Sequence, residues 1–167
     1  MSGFEREVLA VLPRLKRYAR SLTRDSSDAD DLVQDCVEKA FARQATWRGD
    51  NLQSWMMTIL TNLNRNRLRS RGRQPAFVAY DEAEELAGSE AEHDPLQRDR
   101  LTAALERLDP DQRAVLMLVV IEGYRYAEVA EMLQIPPGTV MSRLSRARRN
   151  LAAALEAGNV VELRRKT

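Results

Sequence analysis

Three groups of side chains in this sequence have the types and spacing to do chemistry at a surface. The stretch Gly138–Asn150 carries four arginines and no acid. Read as a helix at about 100° per residue, it gathers Val140, Leu144, Ala147 and Leu151 within about 60° of one another. Thr139, Ser142, Arg143, Arg146 and Asn150 then share a neighbouring face. Guanidinium groups and small hydroxyls are the donors that base edges and phosphates accept in a major groove, so this face has the chemistry of a DNA reader. The second group is residues 62–73, with five arginines, three asparagines and no acid in twelve residues. Arginine neutralises phosphate, and asparagine both donates to and accepts from a base. A structural helix seldom needs so many unpaired cations, so Asn62, Arg65, Asn66 and Arg69 are candidates for nucleic-acid contact. The third group is acidic. Between Asp28 and Ala42, the residues Ala29, Leu32, Val33, Cys36, Val37 and Ala40 fall on one helical face and Asp31, Gln34, Asp35 and Glu38 on the other. On spacing alone, that polar face is either solvated or a docking surface for a basic protein partner.

These groups require helices to position them. Phe4, Val8, Leu12, Leu15, Ala19 and Leu22 recur at steps of three and four, which predicts a helix from Phe4 to Leu22 that Pro13 bends or breaks. Ser27 is the expected N-cap of the acidic helix, with Asp30 three residues on. Trp47-Arg48-Gly49-Asp50-Asn51 reads as a loop, followed by a helix from about Leu52 to Arg71. Further on, Arg100–Leu108 is amphipathic. Asp109-Pro110-Asp111 then supplies an N-cap, a proline at the first helical position and an acid in the first turn. That helix is expected to run through the apolar stretch 114–121 and stop at Gly123. Tyr126–Leu133, a turn at Gln134–Gly138 and a helix from Thr139 to about Ala153 have the pattern of a helix-turn-helix, with Ala130 at the close approach and Ile135 plugging the turn.

Charge divides the chain. Residues 1–75 carry a net +5, residues 76–99 a net −7 and residues 100–167 a net +3. The middle stretch contains Asp-Glu-Ala-Glu-Glu and little that could pack, so it reads as a flexible acidic linker between two small helical domains. Only 5% of the 167 residues are aromatic, which argues for an all-α fold rather than a sandwich or barrel. Cys36 is the single cysteine and His93 the single histidine, so no disulfide, no metal site and no cofactor is expected. No nucleophile, phosphate-cradling glycine loop or acid–base pair suggests an enzyme. The longest apolar run is too short to cross a bilayer, and the N-terminal stretch lacks the apolar core of a signal peptide. A cytoplasmic chain is the expectation.

The chain resembles a bacterial sigma factor of the extracytoplasmic-function group of the sigma-70 family. Asp30-Asp31-Leu32-Val33-Gln34-Asp35 is similar to the family's polymerase-binding signature. Trp47-Arg48-Gly49-Asp50 through Ser54-Trp55 and Asn62 is similar to the segment that opens and reads the −10 element. Leu108-Asp109-Pro110 through Arg146-Ala147-Arg148 is similar to the domain that reads the −35 element. The resemblance implies that Asp31, Gln34, Asp35 and Glu38 dock on core RNA polymerase. It implies that Asn62 cradles a base flipped from the −10 strand, with Arg48 to Asn51 on the same strand and Trp55 as scaffold. Thr139, Ser142, Arg143 and Arg146 become the −35 contacts, and an anti-sigma factor the expected restraint. Met141 stands where many relatives carry a basic residue, and the tail 157–167 extends beyond the pattern. Two other readings use part of the same residues: a helix-turn-helix regulator acting without polymerase, and a sigma mimic that sequesters an anti-sigma factor.

Overall fold

The computed structural model describes residues 1–72 and 94–165, with side chains described as far as residue 157. The acidic stretch 76–93, with His93, lies outside the described residues, as do Arg73 and the last two positions of the tail. Among those described there are seven α-helices and no strand, so the chain is all-α.

The first block is a three-helix bundle. Helix α1, Gly3–Leu22, starts at a reciprocal cap: Ser2 Oγ accepts from the Glu5 amide at 3.2 Å and Glu5 Oε2 accepts from the Ser2 amide at 2.9 Å. It runs unbroken through Pro13, against expectation. Pro13 removes the bond to the Leu9 carbonyl, but both residues are exposed, so water can satisfy that carbonyl without a break. Helix α2, Ser26–Ala42, is capped by Asp25, whose Oδ1 accepts from the Asp28 amide at 2.7 Å, and not by Ser27. Four consecutive residues here can cap, and Asp25 wins because it leaves a full extra half-turn helical.

Helix α3, Leu52–Arg71, matches the expected span; Asn51 Oδ1 accepts from the Ser54 amide at 3.2 Å. Leu15, Leu32, Cys36, Met56, Met57 and Leu60 are fully buried where the three helices meet. Within that core Thr61 donates to the Met57 carbonyl, so the 2.7 Å contact between Tyr18 and Thr61 is a hydrogen bond donated by the phenol. Burial pushes the Tyr18 phenol well above its ordinary range.

The second block holds α4, Pro95–Glu106, α5, Pro110–Leu116, α6, Tyr126–Leu133, and α7, Pro137–Arg165. Asp94 and Asp109 each cap a helix that opens with proline. Helix α4 therefore starts five residues before the expected Arg100, inside the stretch read as linker. Helix α5 does not run on as an α-helix to Ile121. It loosens into a π turn over Met117–Ile121, where the Glu122 amide reaches back to the Met117 carbonyl at 3.0 Å. Gly123, at φ +75°, then reverses the chain. Gln134 closes α6 in the left-handed conformation at φ +54°, and Ile135 returns its amide to the Ala130 carbonyl at 3.0 Å. Val140, Leu144 and Ala147 of α7 are buried as expected, and α7 continues well past Ala153, through most of the tail.

The two blocks share one apolar core. Helix α3 packs on α6 and α5, and α1 on α5.

Candidate nucleic-acid interface

The loop between α2 and α3 is built on aromatic contacts. Phe4 meets Phe41 edge-to-face at 5.3 Å and Trp47 at 5.5 Å, and Trp47 Nε1 donates to the Asp50 carbonyl at 2.6 Å. Gly49 turns the loop at φ +85°. These contacts anchor the loop and leave Arg48, Asp50 and Asn51 exposed.

Next to the loop, α3 turns Ser54, Trp55, Thr58, Asn62 and Arg65 into a cleft of about 610 Å³, whose near wall also includes Arg48 and Asn51. Four of the expected −10 residues (Arg48, Asn51, Asn62 and Arg65) thus converge from two segments on one concavity. Asn66 and Arg69 are exposed further along α3 and do not line it. Trp55 is half-buried, packed on the core while lining the cleft, in keeping with a scaffold role. A smaller cleft of about 390 Å³ adjoins it, lined by Lys39 and Arg43 as well as Trp55 and Asn62. The sequence reading passed over these two cations; their spacing of four, across the C-terminal end of α2, was the available signal.

The arginines of α3 are less free than their number implied. Arg65 Nε lies 3.1 Å from Asp111 Oδ1, Arg67 pairs with Asp35, and Arg71 makes a two-pronged contact with Asp28 at 2.9 and 3.0 Å. The reading of the cluster as unpaired cations is corrected for those three. Their partners lie on α2 and α5, at sequence distances no local pattern reveals. The Arg71 guanidinium holds the Asp28 carboxyl below its usual range.

On α2, Asp31, Gln34, Asp35 and Glu38 are all exposed along one face, opposite buried Leu32, Val33 and Cys36. Gln34 donates to Glu38 at 3.3 Å, so the face is a connected polar ridge. On α7, Ser142 and Arg146 are exposed and Thr139 and Arg143 half-buried. Ser142 Oγ donates to the Thr139 carbonyl at 3.1 Å, and Arg143 Nη1 is buried without a hydrogen-bond partner.

Two family models match the chain: sigma-70 region 2 over residues 8–74 and sigma-70 region 4 over residues 98–151. An ECF RNA polymerase sigma factor, EcfG of Rhodopseudomonas palustris, is 36% identical over 89% of this chain and 83% of its own length. The chain belongs to the ECF group of the sigma-70 family. The sigma factor also superposes on solved relatives. The sigma factor RpoE of Bartonella quintana, solved in complex with the anti-sigma factor NepR, matches with a TM-score of 0.76 and 35% identity over 93% of this chain and 98% of that one. CnrH, solved with the cytosolic domain of CnrY, matches with a TM-score of 0.66 and 27% identity over 93% of this chain and 91% of that one. Sigma factors are non-enzymatic initiation factors that bind core RNA polymerase and promoter DNA. Among the described residues of this sigma factor, no group of metal-ligating side chains occurs and no helix is long and apolar enough to cross a membrane.

Proposed function

We propose that the sigma factor divides promoter recognition among the three surfaces. Asp31, Gln34, Asp35 and Glu38 dock on core RNA polymerase. Arg48, Asn51, Asn62 and Arg65, with Asn66 and Arg69 beyond them, take the −10 strand. Thr139, Ser142, Arg143 and Arg146 read the −35 element. On this reading residues 1–75 and 100–167 are the two functional domains. The observation that carries it is the convergence of Arg48, Asn51, Asn62 and Arg65 on one cleft. A concavity with amide and guanidinium groups beside a half-buried tryptophan suits an extruded base and its phosphates.

Energetics follow from the division. Each reader alone makes too few contacts for tight specific binding. Polymerase holds both at fixed spacing and raises their effective concentration on a promoter. One relative, RpoE, was solved with the anti-sigma factor NepR, and another, CnrH, with the cytosolic domain of CnrY. An anti-sigma factor restraining this chain in the cytoplasm is therefore part of the proposal. Promoter-dependent run-off transcription by core polymerase, with and without the chain, tests it; no dependence on the chain overturns the assignment.

A further inference from the structure

The exposed side of α7 does not coincide with the face that sequence spacing picks out. Val140, Leu144 and Ala147 point into the core. At about 100° per residue the helix then has two flanks. On one, Thr139 and Arg143 are half-buried, and the Asn150 amide donates to Gln112 Oε1 at 2.9 Å. On the other, Met141, Ser145 and Arg148 are all exposed, with Ser142 and Arg149 along the outermost line. The open flank is the one that begins at Met141.

Met141 is 55% exposed, the one exposed large apolar side chain among the described residues of α7. It is the fifth residue of that helix, in the N-terminal part that a helix-turn-helix presents to base edges. Gly138, three residues earlier, has no side chain, and a Cβ placed there would meet no atom within 4 Å, so the approach to Met141 is open. Beside it, Ser142 Oγ donates to the Thr139 carbonyl at 3.1 Å, which leaves the hydroxyl with lone pairs only. Between them, the side chains of Met141 and Ser142 offer neither a cation nor a free donor. A phosphate or a guanine edge at this place would go unmatched. The apolar group that a base pair displays in a major groove is the C5 methyl of thymine, and it needs no polar partner. A thioether is flexible and polarisable enough to settle against it. We propose that Met141 is a specificity-determining residue, which buries its side chain against the C5 methyl of one thymine in the −35 element. This inference rests on the assignment of α7 to that element. The contact involves no charge, so it discriminates between bases without adding to the salt-dependent attraction for phosphate. Exposed Arg148 and Arg149 carry charge for the latter.

The test uses holoenzyme, core polymerase with the full chain, and changes a single methyl group. Holoenzyme first selects its sites from duplexes randomised over the −35 and −10 regions. Each thymine of the selected upstream element is then replaced in turn by uracil, which removes the methyl and keeps every hydrogen-bonding group. At one position uracil should weaken competitive binding about fourfold, the contribution of one buried methyl. That ratio should stay level between about 50 and 200 mM salt, because no counterion is released by the contact. Met141→Gln, which keeps the length of the side chain, should bind the thymine and uracil duplexes equally, whereas Met141→Leu should keep most of the preference. Both variants should melt with the parent chain, since the side chain they replace is exposed. An upstream element without an A·T pair, uracil tolerated at every position, or a preference that survives in Met141→Gln overturns the methyl contact and leaves the −35 assignment standing. A selection that enriches no upstream sequence overturns that assignment, and the inference with it.

Discussion

Arg143 and Arg146 stand three residues apart on α7 in different surroundings. Arg146 is exposed, whereas Arg143 is half-buried and keeps Nη1 without an acceptor. A buried orphan donor costs about 1–3 kcal/mol, and since Nη1 is buried within the chain a guanine edge or phosphate is left the other guanidinium nitrogens. Both alanine variants should lose about 1–3 kcal/mol of −35 binding in a competition assay with promoter-bound holoenzyme. They should differ when DNA is absent: Arg143→Ala should leave the melting temperature level or higher, because it removes the orphan. Asp28 offers a test by pH. Arg71 lowers its folded-state pKa, so the stability it contributes is present above the unfolded carboxyl value near pH 4 and is lost as pH falls through the lower folded value. Asp28→Asn should flatten that part of the acid limb in thermal melts between about pH 2 and 5 and change little at pH 7 beyond loss of a largely solvated pair.

Element by element, the sequence was most legible where one capping residue and one apolar stripe agreed. The loop signal of Trp47–Asn51 placed the start of α3 at Leu52, though not its Asn51 cap, and Asp109-Pro110 opened α5. The same Asp-Pro signature at Asp94-Pro95 opens α4, but the surrounding acids made it read as linker. Ambiguity also defeated the α2 cap, where several adjacent side chains compete. The π turn at Met117–Ile121 had no signal, because a continuous apolar run has no period from which the extra residue of an i→i−5 bond could show. Pro13 shows how packing overrides propensity. Helix α1 is held by Val8, Leu15 and Tyr18 on its buried face, so a lost bond on the wet face is tolerated. Pro13→Ala should return the amide that bonds to the Leu9 carbonyl and raise stability by about 1–2 kcal/mol in urea melts, the helix-interior penalty offset in part by a freer unfolded chain. Cys36 measures the integrity of the same bundle. It is buried, its Sγ donates to the Met56 carbonyl at 3.4 Å, and burial pushes its thiol up to about 12. Iodoacetamide at pH 8 should therefore leave it intact by mass spectrometry until denaturant unfolds the three helices.

At the scale of the whole molecule, the two-block plan was readable from charge, but the way the blocks meet was not. The contacts that join them are single residues far apart in the chain, such as Gln53 with Tyr124, and leave no periodic trace. The same long-range pairing complicates the ridge proposed to dock on polymerase. Asp35 is exposed and belongs to the ridge, yet it pairs with Arg67 of α3. A charge reversal there removes a carboxylate from the ridge and sets two cations side by side, so loss of assembly with polymerase by Asp35→Arg alone does not separate docking from local repulsion. Arg67→Ala separates them. It frees Asp35 without touching the ridge, so core polymerase should bind as tightly as before or tighter, since the carboxylate no longer has to leave an internal partner. Asp35→Arg should abolish capture of core polymerase, and combining it with Arg67→Ala should not restore it, because relief of the repulsion does not replace the missing anion. Recovery of assembly in the double variant, measured by co-elution with core polymerase on gel filtration, would place Asp35 in the packing of α2 on α3 and leave docking to Asp31, Gln34 and Glu38.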